Sequence, residues 1–249
     1  MMIENISVVI IVKEGEKTIQ STLDALSQFS DVVVYDNGST DNTIEIVKKY
    51  RNVNLVQGDF LGFGMTKNKA ATYSKHDWVL SLDADEVLSQ ELLVNLLKTE
   101  LDKNCVYVIS RENYYQKKSV KYCWGNDKIV RLYNKQQTKF NDNILHESVV
   151  TQGLNQQKLT GVMRHYPYTD VSGFLQKTDS YSTLYAQQNQ GKKTSSPFKA
   201  FYKSTFHFIK LYFLKLGFLD GYAGLLVSVS GANGVFFKYL KLYELNKKQ

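Results

Sequence analysis

The chain contains few cysteines, prolines and tryptophans, with two of each among its 249 residues. Cys105 and Cys123 provide neither a metal-ligand spacing nor a disulfide framework. We expect both to be buried thiols of a protein from a reducing compartment. The apolar run near the N-terminus, within MMIENISVVIIVKEGEK, is too short for a signal peptide and has acidic flanks, so we predict that it is a first strand.

Acidic residues are almost absent from residues 192–249, which hold ten lysines but only Asp220 and Glu244. This segment therefore carries a net charge of +8, whereas residues 1–191 carry −1. The asymmetry predicts that the C-terminal segment meets an anionic surface. Nucleic acid would be one such surface, but the uncharged stretch 221–237 favours lipid, so no nucleic-acid partner is expected.

No uninterrupted apolar run reaches the ~20 residues that a membrane-spanning helix needs. Residues 221–237 carry no charge but are shorter than that and contain four glycines. We therefore predict an interfacial helical hairpin within residues 198–241, in which Lys199, Lys203 and Lys210 share one narrow face and aromatic side chains cover the rest. The alternative is a helical cap that packs on the rest of the chain, and the two are compatible.

Apolar residues make up 43% of the chain, which is enough for a sizeable core. Short uncharged runs rich in β-branched residues alternate with stretches of helical spacing, which predicts βαβ units and a parallel sheet. Beyond residue 105 the runs CVYVISREN, KIVRLYN and HESVVT predict a mixed or antiparallel extension, followed by a helix over 171–190 and a linker over 191–197. The four predicted parallel strands are ISVVIIV (6–12), DVVVYD (31–36), NVNLVQ (52–57) and WVLSLD (78–83).

Acidic residues follow three of these strands. Glu14 comes just after the first strand, Asp36 closes the second, and Asp83 closes the fourth with Asp85 beyond it. Ligands of open parallel sheets bind outside the carboxyl ends of the strands, although each acid alone could be a solvated helix cap. Because the acids of LDADE repel one another, positive charge is expected among them. An Asp-x-Asp pair suits Mg²⁺ or Mn²⁺, and a bound diphosphate would complete the coordination.

Four segments, in this order and spacing, resemble glycosyltransferase family 2: ISVVIIVKEGEKTIQSTLDAL, VVVYDNGSTDNT, GFGMTKNKA and WVLSLDADEVL. Five later segments resemble the bacterial lipopolysaccharide inner-core β-1,4-glucosyltransferases, so that the likeness spans nearly the whole chain. One departure is CWGND (123–127), where that family has a Gly-Trp-Tyr-Pro-Asp-like stretch. The later segments are RENYY (111–115), KIVRLYN (128–134), NILHESV (143–149), MRHYPY (163–168) and LKLGFLDGYAGLLVSV (214–229).

The resemblance implies an α/β protein with the GT-A nucleotide-diphospho-sugar transferase fold, in which helices flank a mixed, mostly parallel sheet and a helical extension follows. It implies a catalytic domain over 1–190, with a nucleotide-sugar-binding part (1–104) and an acceptor-side part (105–190). The extension is then 191–249. We expect an enzyme that transfers glucose from UDP-glucose to a heptose of a lipid-linked core, at the inner face of the bacterial cytoplasmic membrane. The oligomeric state is left open.

The same resemblance implies roles for individual residues of the donor site. Asp36 would accept from the uracil imide, Asp83 would contact ribose or metal, and Asp85 would be the principal ligand of a divalent cation. Lys67 and Asn68 match a basic-Asn pair near the nucleotide. Lys67 could instead be a solvated helix residue, and Glu86 could simply start the next helix. Glu14, at the same strand ends, is included among the nucleotide-sugar-binding candidates.

An inverting transferase also needs a base for the acceptor hydroxyl. Glu147, in LHES, is the first choice, ahead of Asp142 and Asp127, although Glu147 could instead be an acid paired with Lys or Arg. His165 is expected to complete the metal site or contact the diphosphate, with a structural histidine as the alternative. His146 and Arg131 are further acceptor-side candidates.

Two other functions remain open at this point. The same fold could act on another acceptor, such as a capsule sugar, an O-antigen sugar or a peptide side chain. The chain could also bind a nucleotide sugar without turnover, although the intact acidic set argues against this. A nucleotidyltransferase is weaker still, since no glycine-rich phosphate loop follows the first strand.

Overall fold

The computed structural model describes residues 2–143 and 147–248. The strands are β1 (Ile6–Val12), β2 (Val32–Asp36), β3 (Val53–Gln57), β4 (Trp78–Asp83), β5 (Glu86–Leu88), β6 (Cys105–Tyr115), β7 (Lys118–Ser119), β8 (Asn126–Asn134) and β9 (Asn155–His165). The helices are α1 (Ile19–Asp24), α2 (Thr43–Val47), α3 (Phe63–Ala71), α4 (Gln90–Lys98), α5 (Val171–Asn189), α6 (Pro197–Ile209) and α7 (Tyr222–Lys247). A π-helical turn (Lys210–Leu214) and a 3₁₀ turn (Gly217–Asp220) separate α6 from α7.

The strands form a mixed sheet in the order β3-β2-β1-β4-β8-β6-β9-β5, with β7 paired to β6. β3, β2, β1 and β4 are mutually parallel, as the alternating pattern predicts. β4 pairs with β8, and β5 with β9, in antiparallel fashion. The four predicted parallel strands and the mixed extension are thus confirmed.

β1 explains how the centre of the sheet is buried. Ile6, Val8 and Ile10 belong to one apolar core, whereas Val9 belongs to a second core that also contains Val33. Successive side chains of a strand point to opposite faces, so an uncharged β-branched run can bury both faces at once. The sheet is therefore covered on two sides, and its strand ends remain available for polar side chains.

Three local predictions from the sequence are wrong. Of the described residues of HESVVT, only Val149 makes a strand-type contact, an isolated bridge to Phe140. Glu86 does not start a helix, because it is the first residue of β5. The third error is the extent of β9, an 11-residue strand, since the sequence indicates a strand before His165 only over LTGVM (159–163).

The chain divides into two compact units. One, here called the sheet unit, comprises the residues up to Glu112 together with Asp127–His165. The other, the helical unit, comprises Asn113–Asn126 and the residues from Tyr166 onward. This division does not coincide with the boundary expected between residues 190 and 191, since α5 groups with the later helices. The predicted functional domains stay predictions.

Polar residues define the helix starts of the helical unit. The carboxylate of Asp170 accepts a hydrogen bond from the N–H of Gly173 at the start of α5. The Ser196 hydroxyl accepts from the N–H of Lys199 at the start of α6, where Pro197 occupies the first turn. Proline is tolerated there because its missing N–H would have no partner inside the helix. The predicted helix over 171–190 is confirmed by α5.

The length argument against a spanning helix is wrong. α7 continues beyond the uncharged stretch to Lys247 and has 26 residues. Among the described residues it is the one helix that is long and apolar enough to cross a membrane, and 28% of its apolar window is buried. Length and composition alone also fit a helix that packs within a protein, so the choice depends on what α7 contacts.

Candidate active site

The carboxyl ends of three parallel strands bring the predicted acidic residues together. Asp36 lies opposite Val12 of β1, and Asp83 lies opposite Ile11 of the same strand. β2 and β4 flank β1, so both aspartates end up at one edge of the sheet, one on each side of the central strand. This is the edge at which ligands of parallel sheets bind.

Asp36 is fully buried and only half satisfied. Its Oδ2 accepts hydrogen bonds from the N–H groups of Gly38 and Ser39, each at 3.1 Å. Its Oδ1 is also buried, but it has no hydrogen-bond partner among the described residues. A buried carboxylate oxygen without a donor is costly, so the site is suited to a ligand that brings its own N–H or O–H.

Glu14 closes the loop beside Asp36. It is exposed and has a φ of 55°, an uncommon conformation for a non-glycine residue. Its Oε1 accepts from the Thr40 N–H at 2.9 Å and from the Thr40 hydroxyl at 3.1 Å. In return, the Glu14 N–H donates to the Ser39 hydroxyl. Glu14 thereby ties the loop after β2 to the end of β1.

The acidic cluster after β4 is neutralised by side chains from other elements. Arg131 on β8 is buried, and its Nη2 lies 2.6 Å from both Asp83 Oδ2 and Glu86 Oε1. Glu86 is completely buried, and its Oε2 accepts from the N–H of Asp83. Part of the positive charge expected among the acids of LDADE is thus supplied by Arg131, which contacts Asp83 and Glu86. The buried position of Arg131 also differs from the acceptor contact that was expected.

Arg111 on β6 extends this cluster. Its Nη1 lies 3.4 Å from Glu86 Oε1, and its Nη2 lies 2.7 Å from Asp127 Oδ2. Asp127, a candidate base in the sequence analysis, is therefore held in an ion pair. Glu86 and Arg111 were not selected as site residues, although DADE and RENYY both belong to the segments that carry the family resemblance.

Burial and the neighbouring charges shift the pKa values of two acids of the cluster, Asp83 and Glu86, in opposite directions. Burial is the largest influence on Asp83 and would raise its pKa, but Arg131 and Lys67 outweigh it and hold that pKa well below its usual 3.8. Burial also dominates at Glu86 and raises its pKa above 4.5, assisted by Asp83 and Asp85 against the pull of Arg131. Asp83 is therefore the acid that stays charged.

Lys67 on α3 links the end of β4 to the predicted base. Its side chain is 3% exposed, with Nζ 3.0 Å from Asp83 Oδ1 and 2.9 Å from Glu147 Oε1. The interpretation of Lys67 as a solvated residue is therefore wrong. Glu147 is the lysine-paired acid that the sequence analysis kept as its alternative, and this pairing fixes where the carboxylate lies.

Tight packing on α3 makes this bridge possible. A Cβ on Gly64 would lie 2.0 Å from the carbonyl oxygen of Asn141, so only glycine allows the segment before Glu147 to approach the helix. The side chain of Asn68 donates to the Phe140 carbonyl and accepts from the Phe140 N–H, both at 2.9 Å. These bonds engage both polar atoms of Asn68. This residue was expected near the nucleotide, but its side chain holds the backbone of Phe140 against α3.

Asp85 lies beside His165. Their Oδ2 and Nε2 atoms are 3.6 Å apart, because β5 pairs with β9 and sets Glu86 opposite His165. Both side chains are partly exposed. Of the remaining candidates, Asp142 is exposed, and His146 lies outside the described residues.

The donor atoms fit a divalent cation in part. A carboxylate and an imidazole are suitable ligands for Mn²⁺, and a diphosphate would supply further oxygens. Both oxygens of Asp83 are engaged by Lys67 and Arg131, so Asp85 and His165 are the better pair. Within residues 2–143 and 147–248, no group of three or more His, Cys, Asp or Glu side chains is arranged to hold a metal by itself.

Sequence comparison defines the class of protein to which this site belongs. The model of the family described as "Glycosyl transferase family 2" matches residues 7–160. An uncharacterized glycosyltransferase of Rickettsia typhi is 32% identical over 98% of this chain and 89% of its own length. The chain therefore belongs to glycosyltransferase family 2 and is a transferase.

Two other comparisons add a relative of named function and a solved structure. The lipopolysaccharide core biosynthesis glycosyltransferase LpsC of Rhizobium meliloti is 25% identical over 96% of this chain and 92% of its own length. A solved structure of Staphylococcus aureus TarS aligns with a TM-score of 0.47 and 18% identity, over 71% of this chain and 39% of that one. With the family established, the mixed, mostly parallel sheet and its C-terminal helices confirm the predicted GT-A fold.

Proposed function

We propose that the protein is an inverting hexosyltransferase that moves glucose from UDP-glucose onto a heptose of a lipid-linked lipopolysaccharide core. The observation that carries the proposal is the joining of donor-side and base-side carboxylates, Asp83 and Glu147, through the buried amine of Lys67. The likeness to LpsC, which extends over nearly the whole chain, supports a core oligosaccharide as acceptor.

The donor nucleotide would bind at the end of β2. The unpaired Oδ1 of Asp36 would accept the imide N–H of uracil, which supplies the donor that this buried oxygen lacks. Asp83, kept ionised by Arg131 and Lys67, would accept from a ribose hydroxyl. Glu14 and Asn68 would act indirectly, by holding the loop after β2 and the segment before Glu147.

Glu147 would be the base. In the reaction, the acceptor oxygen forms a bond to the anomeric carbon while the bond from that carbon to the diphosphate oxygen breaks. The hydroxyl proton passes to Glu147, the bonding pair leaves with UDP, and the anomeric configuration inverts. Lys67 would hold the Glu147 carboxylate in place before the acceptor arrives. Asp127, Asp142 and His146 are the remaining candidates for contact with the acceptor.

Asp85 and His165 would hold a divalent cation, Mg²⁺ or Mn²⁺, together with the donor diphosphate. Such an ion, when bound, supplies positive charge to the leaving group. Arg131 takes a different part from the one first expected, since its guanidinium is buried against acids rather than open to an acceptor. We assign it the positioning of Asp83 and Glu86.

The membrane part of the proposal concerns residues 198–241. Exposed lysines of this segment would meet anionic lipid at the inner face of the bacterial cytoplasmic membrane, where a lipid-linked acceptor is found. Lys203 and Lys210 are exposed, whereas Lys199 donates to the carbonyl of Thr194 and lies over the Tyr239 ring. Lys203 and Lys210 are therefore the better lipid contacts.

A donor screen tests the chemistry. Purified protein is incubated with a panel of UDP-sugars and a truncated, heptose-terminated core, released UDP is measured, and the product mass and linkage are determined. We expect turnover with UDP-glucose that EDTA abolishes and Asp85→Ala reduces, while Asp77→Ala, at an exposed site before β4 on the opposite edge of the sheet, leaves it unchanged. Transfer only to capsule, O-antigen or peptide acceptors would preserve the reaction class but overturn the proposed acceptor.

A further inference from the structure

The turn between α6 and α7 exposes an unusual amount of apolar surface. Six large apolar side chains are exposed within the ten residues 213–222, here called the apolar turn. Soluble surfaces rarely carry so dense an apolar patch unless it contacts something. Its exposed members are Phe213, Leu214, Leu216, Phe218, Leu219 and Tyr222.

Ring contacts hold part of the apolar turn together. The ring of Tyr212 lies 5.2 Å from that of Phe213 and 6.3 Å from that of Phe218, so two exposed phenylalanines share one neighbour. Leu216 has a φ of 57°, in the left-handed region that leucine rarely adopts. A strained leucine that is also exposed gains little from the fold itself, which indicates that its placement serves a contact.

Four backbone N–H groups of the apolar turn are satisfied within the chain. The N–H groups of Lys215, Leu216, Leu219 and Gly221 all donate to carbonyls of residues 210–218. A bilayer penalises unsatisfied backbone groups, so this pattern suits contact with lipid. The turn could therefore enter an apolar layer without losing hydrogen bonds to water at these positions.

The one acid of the apolar turn points away from the surface. Asp220 is 3% exposed, and its carboxylate accepts from the N–H groups of Lys121, Tyr122 and Cys123 at 2.9 to 3.0 Å. Its negative charge is thus used inside the helical unit. Lys210 and Lys215, by contrast, are exposed.

Close packing keeps the apolar turn rigid. A Cβ on Gly224 would lie 1.8 Å from the carbonyl oxygen of Gly217, and a Cβ on Gly217 would lie 2.9 Å from Cβ of Cys123. Neither approach is possible with a larger residue. The turn is therefore preformed, and little conformational entropy is lost when it meets a partner.

We propose that the apolar turn is a rigid wedge that inserts into the interfacial layer of an anionic phospholipid bilayer, with Lys210 and Lys215 at the headgroups. The argument for lipid is the combination of exposed apolar side chains, exposed lysines and an inward-facing acid. The inference deepens the membrane part of the proposed function and rests on it. It adds that binding depends on apolar insertion as well as on charge.

The contacts of α7 favour this shallow mode over a membrane span. Near its C-terminal end, Lys241 Nζ donates to the Asp179 carboxylate and the Thr183 hydroxyl, both at 2.7 Å. The Asn246 amide donates to the Lys193 carbonyl. A spanning α7 would draw these charged and polar partners of α5 and its following loop into lipid, which is expensive.

An environment-sensitive label tests the insertion directly. Cys105 and Cys123 are buried, so a nitrobenzoxadiazole probe will react selectively with Leu219→Cys in the 249-residue chain. With phosphatidylglycerol-containing vesicles, we expect the emission to shift to shorter wavelength and to be quenched most by lipids brominated near the headgroup. The matched control is Leu175→Cys on α5, which is 61% exposed against 51% for Leu219 and whose emission should not shift.

A second variant separates insertion from charge. Phe218→Ser combined with Leu219→Ser keeps every lysine and should weaken vesicle partition about tenfold or more, because less apolar area leaves water. Circular dichroism will verify that the fold is retained. An unshifted label, quenching deepest at the bilayer centre, or a shift caused by self-association without vesicles would each overturn the wedge. None of these readouts requires turnover, so failure of sugar transfer would leave the result interpretable.

Discussion

The two units of the molecule treat charge in opposite ways. In the sheet unit, Arg131 and Glu86 are buried and paired, with Asp83 shared between Arg131 and Lys67. In the helical unit, lysines such as Lys210 are exposed and apolar side chains are left in solvent. Burying charge costs free energy that pairing only partly returns, and exposing apolar area also costs. The sheet unit bears the cost of buried charge, which suits its proposed catalytic role. The helical unit bears the cost of exposed apolar area, which suits its proposed contact with lipid.

The comparison separates two sources of function within one chain. The buried ionic cluster fixes side-chain positions at the strand ends, which a reaction centre needs. The helical unit instead presents apolar and basic groups, which a surface contact needs. Variants of the buried ionic cluster should therefore lower stability and turnover, whereas variants of the exposed lysines should weaken binding to lipid.

Breaking the ionic cluster should have the largest effect on stability. Arg131→Met leaves Asp83 and Glu86 without their shared cation and should lower the free energy of unfolding by about 3–5 kcal/mol. Urea denaturation of Arg51→Met, at an exposed arginine, provides the control and should differ little from wild type. If combining Arg131→Met with Glu86→Gln restored no stability, the two residues would not be coupled as the structure indicates.

Reversing the charge of the helical unit should be the next largest effect. Each lysine near an anionic bilayer contributes about 1 kcal/mol, so Lys203, Lys210 and Lys215 changed together to Glu should weaken partition about 100-fold or more. Sedimentation with anionic vesicles at low and high salt measures this. The same reversal at Lys13, Lys49 and Lys98 of the sheet unit should have little effect, and equal losses would remove the distinction between the units.

Removing the bridging amine should have a smaller effect on stability but a clear one on turnover. Lys67→Met leaves Asp83 and Glu147 facing each other and should cost about 1–3 kcal/mol of unfolding free energy. Transfer should fall further than stability accounts for, because Glu147 loses its anchor. Lys69→Met, on the exposed side of the same helix, is the control. Normal turnover in Lys67→Met would argue against the bridge.

The pH dependence of Glu86 should give the smallest effect. Its pKa is raised on folding above 4.5, so its contribution to stability is full below that pH and is lost as pH rises through the folded pKa. Wild type should therefore lose stability relative to Glu86→Gln between pH 4.5 and neutrality, by about 1.4 kcal/mol for each pKa unit. Urea unfolding across this range, with Glu91→Gln as control, measures it. A difference that grows in favour of wild type would reverse the assigned direction.

Sequence patterns were sufficient for the parallel half of the sheet. β1 is an uncharged run, β2 and β4 are uncharged up to the aspartate that closes each, and these aspartates lie at a common edge. The local pattern was less informative for Glu86, for which a helix start was left open as an alternative to the acidic cluster. Its strand assignment depends on pairing with His165 of β9, 79 residues later, and a single sequence does not reveal that register.

The contact of Arg131 with the acids of the ionic cluster could not be predicted from the sequence for a similar reason. Arg131 comes close to Asp83 because β8 pairs with β4 in antiparallel register, so the arginine that neutralises the acids lies 48 residues away in sequence. α7 illustrates a different failure. The charged residues after 237 end the uncharged stretch, but the helix continues to Lys247. Within this last part, Lys241 donates hydrogen bonds to Asp179 and Thr183, which a single sequence does not reveal.

The most direct test of the central claim is the turnover of Glu147→Gln with UDP-glucose and a heptose-terminated acceptor. This variant keeps the size of the side chain and its contact with Lys67 but removes the proton-accepting carboxylate. The account predicts that kcat falls by about 10²–10⁴-fold while UDP binding is unchanged, with Glu100→Gln as an inert control. Undiminished kcat would contradict the assignment of Glu147 as the base.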